Sequence, residues 1–146
     1  MKLLSKEEFE MIYSKVPRVC IDLLIESKNG ILLTKRAIAP NRGFWYLPGG
    51  GILFNESVKD ACRRISRKEL GCEDIKIVKK IGYIEFLDEK DNGFSRHSIS
   101  IVFLAKINSE KIVLNDEASE FMFTKKIPEN TYKEHNEFLI NFLKER

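Results

Sequence analysis

Between Val19 and Ile25 the chain is apolar at nearly every position, VCIDLLI, and only Asp22 breaks the run. A stretch of that length without alternation reads as a strand covered on both faces. Lys28-Asn29-Gly30 follows as a turn, and Ile31 to Arg36 reads as the returning strand of a hairpin. Farther along, the period changes. Val58, Ala61, Cys62 and Ile65 recur at helical spacing, Glu69 falls on the same stripe, and Lys59, Arg63 and Arg67 occupy the other face. With Asn55 as N-cap and Gly71 as the left-handed residue beyond the last turn, this helix is expected from about Glu56 to Leu70. Ile75 to Leu87 has strand character interrupted around Gly82, and Asp88 to Phe94 is a charged loop turning at Asn92-Gly93. Ile99 to Ile107 reads as a strand, with Ser98, Ser100 and Val102 alternating against Ile99, Ile101 and Phe103. A polar loop from Asn108 to Ser119 leads to a last short strand, Phe121 to Thr124.

Helices are expected at both ends. Ser5 and Glu8 have the spacing of a capping box, Phe9, Ile12 and Tyr13 give the short helix after it an apolar face, and Pro17 stops it. Thr131 to Lys144 is amphipathic, with Tyr132, Phe138, Leu139, Phe142 and Leu143 as its buried side. Strands with one helix in mid-chain and another at the end imply an α/β fold in which helices cover both faces of a mixed sheet.

Composition narrows the class. At 146 residues the chain, 1–146, fits a single domain, and 43% hydrophobic with 32% charged residues describes a soluble globular protein, not a disordered or membrane one. The net charge of +3 suits anionic substrates but is too small and dispersed for nucleic-acid binding. Cys20, Cys62 and Cys72 lie in apolar contexts without zinc-ligand spacing, and no signal-like or bilayer-length apolar run occurs, so a cytoplasmic protein with reduced thiols is expected.

Candidate chemistry concentrates between Leu47 and Cys72. Pro48 followed by Gly49, Gly50 and Gly51 makes a loop whose bare backbone can approach a ligand. Asp22 and Glu69 sit at positions patterned for burial, where a carboxylate needs a donor or a cation. Arg36, at a strand end beside the glycine loop, has the planar fork that suits a diphosphate. Trp45 reads as a core anchor, and His97 as a strand-edge histidine.

These residues resemble a known family. Phe44-Trp45-Tyr46-Leu47-Pro48-Gly49-Gly50, the spacing from Gly50 to Glu56 to Arg64, and then Glu69, Gly71 and Cys72 resemble the Nudix box. Where that box carries two further metal-site glutamates, this chain has Ile65 and Lys68. The apolar residue after Arg64 and the single glutamate in Glu69-Leu70-Gly71 are similar to the GDP-mannose mannosyl hydrolase branch. The resemblance implies a Nudix-type α/β/α sandwich and a magnesium-dependent hydrolase of nucleotide sugars, attacking the anomeric carbon to release a nucleoside diphosphate and a sugar. It also implies a homodimer.

Carried over position by position, the resemblance implies Glu69 and a backbone carbonyl of Gly49 or Gly50 as Mg2+ ligands. Asp22, Arg36 and Arg64 become catalytic residues, with Glu56 bracing Arg64, and Phe9 joins Arg36 in substrate binding. A plain ion pair between Asp60 and Arg64 is the alternative for that arginine. Three departures stand out. Gly51 replaces an arginine that would stabilise the leaving diphosphate, Ala118 and Ser119 replace a metal ligand and a general base, and Ser98 replaces a tyrosine. Glu117, Glu120 or His97 could serve as a substitute base if the local loop is re-registered, and of these only Glu117 lies next to the vacant positions. Two other functions compete with this one: a diphosphohydrolase cleaving a nucleoside diphosphate-linked substrate at phosphorus, and a non-catalytic domain that binds nucleotide sugars.

Overall fold

The computed structural model describes residues 3–91 and 93–146. The elements follow in the order α1 (Lys6–Tyr13), β1 (Arg18–Ser27), β2 (Gly30–Arg36), β3 (Trp45–Tyr46), β4 (Gly49–Gly51), α2 (Val58–Leu70), β5 (Lys76–Asp91), β6 (Phe94–Lys106), β7 (Ala118–Thr124) and α3 (Lys133–Lys144). All strands join one sheet in the order β3-β2-β1-β6-β5, with β4 also paired to β1 and β7 to β2. The β1–β6 pair is parallel and the rest are antiparallel, so the sheet is mixed as expected. No helix among the described residues is long and apolar enough to cross a membrane.

The unbroken apolar run of β1 has two destinations. Ile21, Leu23 and Ile25 point to one side, where they pack with Ala61, Cys62, Ile65 and Leu70 of α2. Leu24 points to the other, among Leu33, Trp45, Leu47, Val102 and Leu139 of α3. Ile21, Leu23, Leu24, Ile25 and Leu32 are each 0% exposed, and burial of such a side chain contributes about 1.5–3 kcal/mol. Alternation therefore puts Asp22 on the α3 face with Leu24. The α/β/α sandwich has its two cores on either side of this one strand.

Several boundaries differ from the sequence expectation. The mid-chain helix starts at Val58, not Glu56, because Asn55 takes a left-handed φ of 63° and the cap is Ser57, whose Oγ accepts the Asp60 N–H at 3.1 Å. At that first helical position Val58 remains 39% exposed instead of buried, as does Leu143 at 39% near the chain's end. Gly71 takes the expected left-handed cap with φ 62°. The charged loop predicted from Asp88 to Phe94 is mostly strand: Asp88, at φ 49°, is absorbed in a register shift between Phe86 and Glu89, after which Glu89 pairs with Arg96. The predicted turn at Asn92 lies outside the described residues. Gly82 marks another register shift without ending the strand, and Phe138 of α3 packs on it. The last strand begins at Ala118, three residues before the expected Phe121, since Ala118 pairs with Arg36 across a bulge.

Candidate active site

An open cleft forms where β1 runs out from under α3, and it collects Arg18, Cys20, Asp22, Arg36, Pro48, Gly49, Gly50, Glu69, Ser98, Ser100, Glu117 and His135. Strand alternation supplies Arg18, Cys20 and Asp22 together, and the parallel register sets Ser98, Ser100 and Val102 beside them. The face of β6 that reads as half polar in sequence is thus the buried one: Ser98 is 7% and Ser100 1% exposed.

The glycine loop enters through β4, which pairs with β1 as Cys20↔Gly51, Ile21↔Gly50 and Asp22↔Gly49. Leu23 N–H donates to the Pro48 carbonyl at 2.8 Å and Ile52 N–H to the Val19 carbonyl at 3.0 Å. Those bonds fix the phase of the ladder, so Ile21 and Gly50 form the bonded pair between them and the carbonyls of Gly49 and Gly51 face away from β1. Arg64 Nη2 takes the Gly51 carbonyl at 2.7 Å. Gly49 is required sterically, because a Cβ there would lie 2.1 Å from Asp22 Oδ1 and 2.5 Å from the Ile21 carbonyl.

Arg64 does not line the cleft. Its Nε and Nη2 donate to Glu56 at 2.7 and 3.0 Å, and Glu56 turns back to accept the Leu53 N–H at 3.0 Å. Hydrogen bonds from Arg64 thereby hold the Glu56 carboxyl below its ordinary pKa, and the pair ties the glycine loop to α2. Asp60 is not its partner, since the guanidinium is spent on Glu56 and the Gly51 carbonyl.

Glu69 lines the cleft from the last turn of α2, whereas Ile65 is 1% exposed beneath Gly50 and Lys68 is exposed. Asn115 Nδ2 donates to Glu69 Oε2 at 3.2 Å. Desolvation, and then the nearby Glu117 carboxylate, push Glu69 above its ordinary pKa. Glu117 reaches the cleft because β7 starts early: the Ala37 N–H donates to its carbonyl at 2.8 Å, and its own N–H is capped by Asn115 Oδ1 at 3.0 Å. Glu120 is elsewhere, 58% exposed and paired with Lys35 Nζ at 3.3 Å. Arg36 lines the cleft with Nε and Nη2 tied to the Pro40 and Ala39 carbonyls at 3.2 and 3.1 Å. Phe9 is outside the cleft lining; it stacks edge-on with Tyr13 and covers the guanidinium of Arg18 at 4.8 Å.

His135 is the residue that sequence reasoning missed. It is 2% exposed, its Nδ1 accepts the Leu47 N–H at 2.8 Å, and its Nε2 lies 3.4 Å from Asp22 Oδ2. A backbone N–H can only donate, so Nδ1 is the unprotonated nitrogen and the neutral ring carries its proton toward Asp22. At that separation the contact is electrostatic and not a formed hydrogen bond, and Asp22 Oδ2 stays buried without a hydrogen-bond partner. The signal was present: His135 lies three residues after Tyr132 and four before Leu139, on the buried stripe of α3. His97 does not line the cleft.

The donors offered to a cation are all oxygen: two carboxylates in mutual repulsion and a carbonyl off the ladder. That set fits a hard divalent ion that keeps several positions for substrate or water. Among the described residues no cluster of three or more acidic, histidine or cysteine side chains forms a fuller cage.

Comparison with known proteins agrees with this architecture. The family model for the NUDIX domain matches residues 15–142. The low-salt glycan biosynthesis protein Agl8 of Haloferax volcanii is 34% identical over 117 residues, covering 78% of this chain and 74% of that protein. The ADP-ribose pyrophosphatase of Methanocaldococcus jannaschii is 35% identical over 107 residues, 73% of this chain but only 61% of that protein's length. Among solved structures, the MutT protein of Methanosarcina mazei superposes with a TM-score of 0.75 at 25% identity, covering 88% of this chain and 95% of that one. The chain belongs to the Nudix hydrolase family.

Proposed function

We propose that this chain hydrolyses a nucleotide sugar of the GDP-mannose type at the anomeric carbon, with magnesium, releasing nucleoside diphosphate and free sugar. Nudix hydrolases in general use divalent metal ions. The observation that carries the reading is the end of α2, where Glu69 faces the cleft while Ile65 is sealed in the core and Lys68 stands in solvent. One helix carboxylate is a sparse anchor, suited to neutralising a diphosphate that departs intact.

Glu69 and the Gly49 carbonyl would hold the cation, which would supply charge neutralisation on the diphosphate when bound, and Glu117 stands beside them as the substitute base. Arg36 adds a second positive group on the same side of the cleft. Asp22 lines the cleft as an acceptor beside Gly49, where a sugar hydroxyl entering it would donate to the carboxylate. His135 fixes the backbone at Leu47 and so the approach of Pro48 and Gly49.

A second reading rests on one specific juxtaposition. Glu117 beside Glu69 gives the cleft two carboxylates, which favours attack at phosphorus, as in the pyrophosphatase relative. Incubation with magnesium and a panel of nucleotide sugars in 18O water, read by phosphorus NMR and mass spectrometry, separates the two. Unlabelled nucleoside diphosphate and labelled sugar mean carbon attack; label on a phosphate product overturns it. We also propose a homodimer through the N-terminal face, where Leu3, Leu4, Met11 and Val16 are exposed. Light scattering that returns a monomer mass would remove that part.

A further inference from the structure

Four arginines surround the cleft and its glycine loop, and three are already engaged. Arg64 is bound to Glu56, Arg96 to Glu89 at 3.2 Å, and Arg36 to two backbone carbonyls. Arg18 differs. It opens β1, lines the cleft on the face of Cys20 and Asp22, and among the described residues no carboxylate or hydrogen-bond acceptor partners its guanidinium. What holds it is aromatic: the ring of Phe9 at 4.8 Å and that of Tyr13 at 5.7 Å, both from α1. Those rings lie 4.9 Å apart, edge to face.

Opposite these rings the guanidinium runs against Gly51. A Cβ on that glycine would lie 2.2 Å from Nη2, 2.4 Å from Cζ and 2.5 Å from Nε of Arg18. The third glycine of the loop therefore makes room for an arginine delivered from the neighbouring strand. A guanidinium fixed by stacking keeps its N–H donors free at the edge, and a cation desolvated by rings lacks only an anion. None of the residues of α1 is buried, so this helix adds little to the core; it meets the rest of the molecule through the rings of Phe9 and Tyr13 on Arg18 and of Phe9 on Phe94.

We propose that Arg18 is an anion-binding residue of the cleft that grips the substrate's diphosphate, and that Phe9 and Tyr13 of α1 are positioning residues that aim it. The proposal rests on the reading of the cleft as a nucleoside diphosphate site. It gives Phe9 a task other than direct contact with the substrate.

Calorimetric titration of the full chain with GDP, and with inorganic diphosphate in metal-free buffer, tests it. Arg18→Ala is expected to weaken both about tenfold to a hundredfold, the range for losing hydrogen bonds to a charged group. Gly51→Ala, whose new Cβ displaces the guanidinium, is expected to lose affinity without touching the anion. The exchange Arg18→Ala with Gly51→Arg returns a guanidinium to the same space and is expected to recover part of the loss. Phe9→Ala should weaken both ligands several-fold with the thermal midpoint little changed. Binding by Arg18→Ala equal to wild type would overturn the role of Arg18 while leaving the diphosphate site standing. No binding of either ligand by the wild type would overturn the site reading and this proposal together. No recovery in the exchange variant, with its fold intact by circular dichroism, would also count against Arg18 acting through its charge.

Discussion

Replacing Arg64 with methionine removes one partner of a charge pair and leaves the other enclosed. The Glu56 side chain is 3% exposed and accepts three hydrogen bonds, two from Arg64 and one from the Leu53 N–H. After the substitution only the Leu53 bond survives, and the Gly51 carbonyl also loses its donor. Breaking a buried pair from one side costs about 3–5 kcal/mol. Arg64 is itself 29% exposed, so solvent screens the site from one direction and the cost falls below that range, to about 2–3 kcal/mol. For a chain of this size that lowers the thermal midpoint by about 7–10 °C. The pH dependence has a definite sign. Glu56 is held below its unfolded value, so its contribution is complete above the ordinary carboxylate range and fades as pH falls through the folded pKa. Urea unfolding of wild type and Arg64→Met at pH 7 should show the full gap, and the gap should narrow toward pH 3. Adding Glu56→Gln to Arg64→Met should recover stability, because the enclosed charge is gone. A deficit under about 1 kcal/mol, or one independent of pH, would mean that Arg64 is a surface arginine and that the glycine loop is held by β1 alone.

Three more substitutions probe the cleft. Glu69→Gln should abolish divalent-cation binding by calorimetry and raise the cation-free thermal midpoint, since it deletes a desolvated charge facing Glu117; wild-type cation affinity should fall on acidification at pH values above the usual carboxylate range, where Glu69 is already taking up its proton. Gly49→Ala forces a Cβ against the Ile21 carbonyl, which cannot rotate away, so turnover should vanish and urea unfolding should register a loss of about 1–3 kcal/mol. His135→Leu leaves the Leu47 N–H buried without an acceptor, a cost of about 1–3 kcal/mol by the same assay, and turnover should drop with it.

What could be read from the chain in advance depended on whether the deciding contact was local. The α1 capping box, the Gly71 cap and the hairpin through Gly30 each involve residues a few positions apart, and all appear where the pattern put them. The early start of β7 was not legible, because Ala118 becomes strand by pairing with Arg36, more than eighty residues away. That pairing is also what carries Glu117 into the cleft. The Asp88 to Phe94 segment looked like a loop from its charges, yet Glu89 and Arg96 neutralise each other across the strands at 12% and 16% exposure. Arg18 and Gly51 gave no joint signal, being thirty-three positions apart and brought together only by the register of β1 with β4.

The location of the cleft follows from a change along one strand. The odd positions of β1, Ile21, Leu23 and Ile25, are uniformly apolar and are roofed by α2 along their length. The even positions grade from Arg18 through Cys20 and Asp22 to Leu24, and α3 meets that face from the Asp22 end onward, with His135 at Asp22 and Leu139 in the cluster of Leu24. Toward Arg18 α3 no longer covers the strand; only Phe9 and Tyr13 of α1 stand over its guanidinium, with β4 and the early part of β6 flanking it in the sheet. A strand with polar residues on both faces would not hold the centre of a sheet, and one apolar on both faces would leave no site. The single interruption at Asp22 marks the boundary, because a carboxylate there needs the core behind it for position and the open cleft in front for a partner.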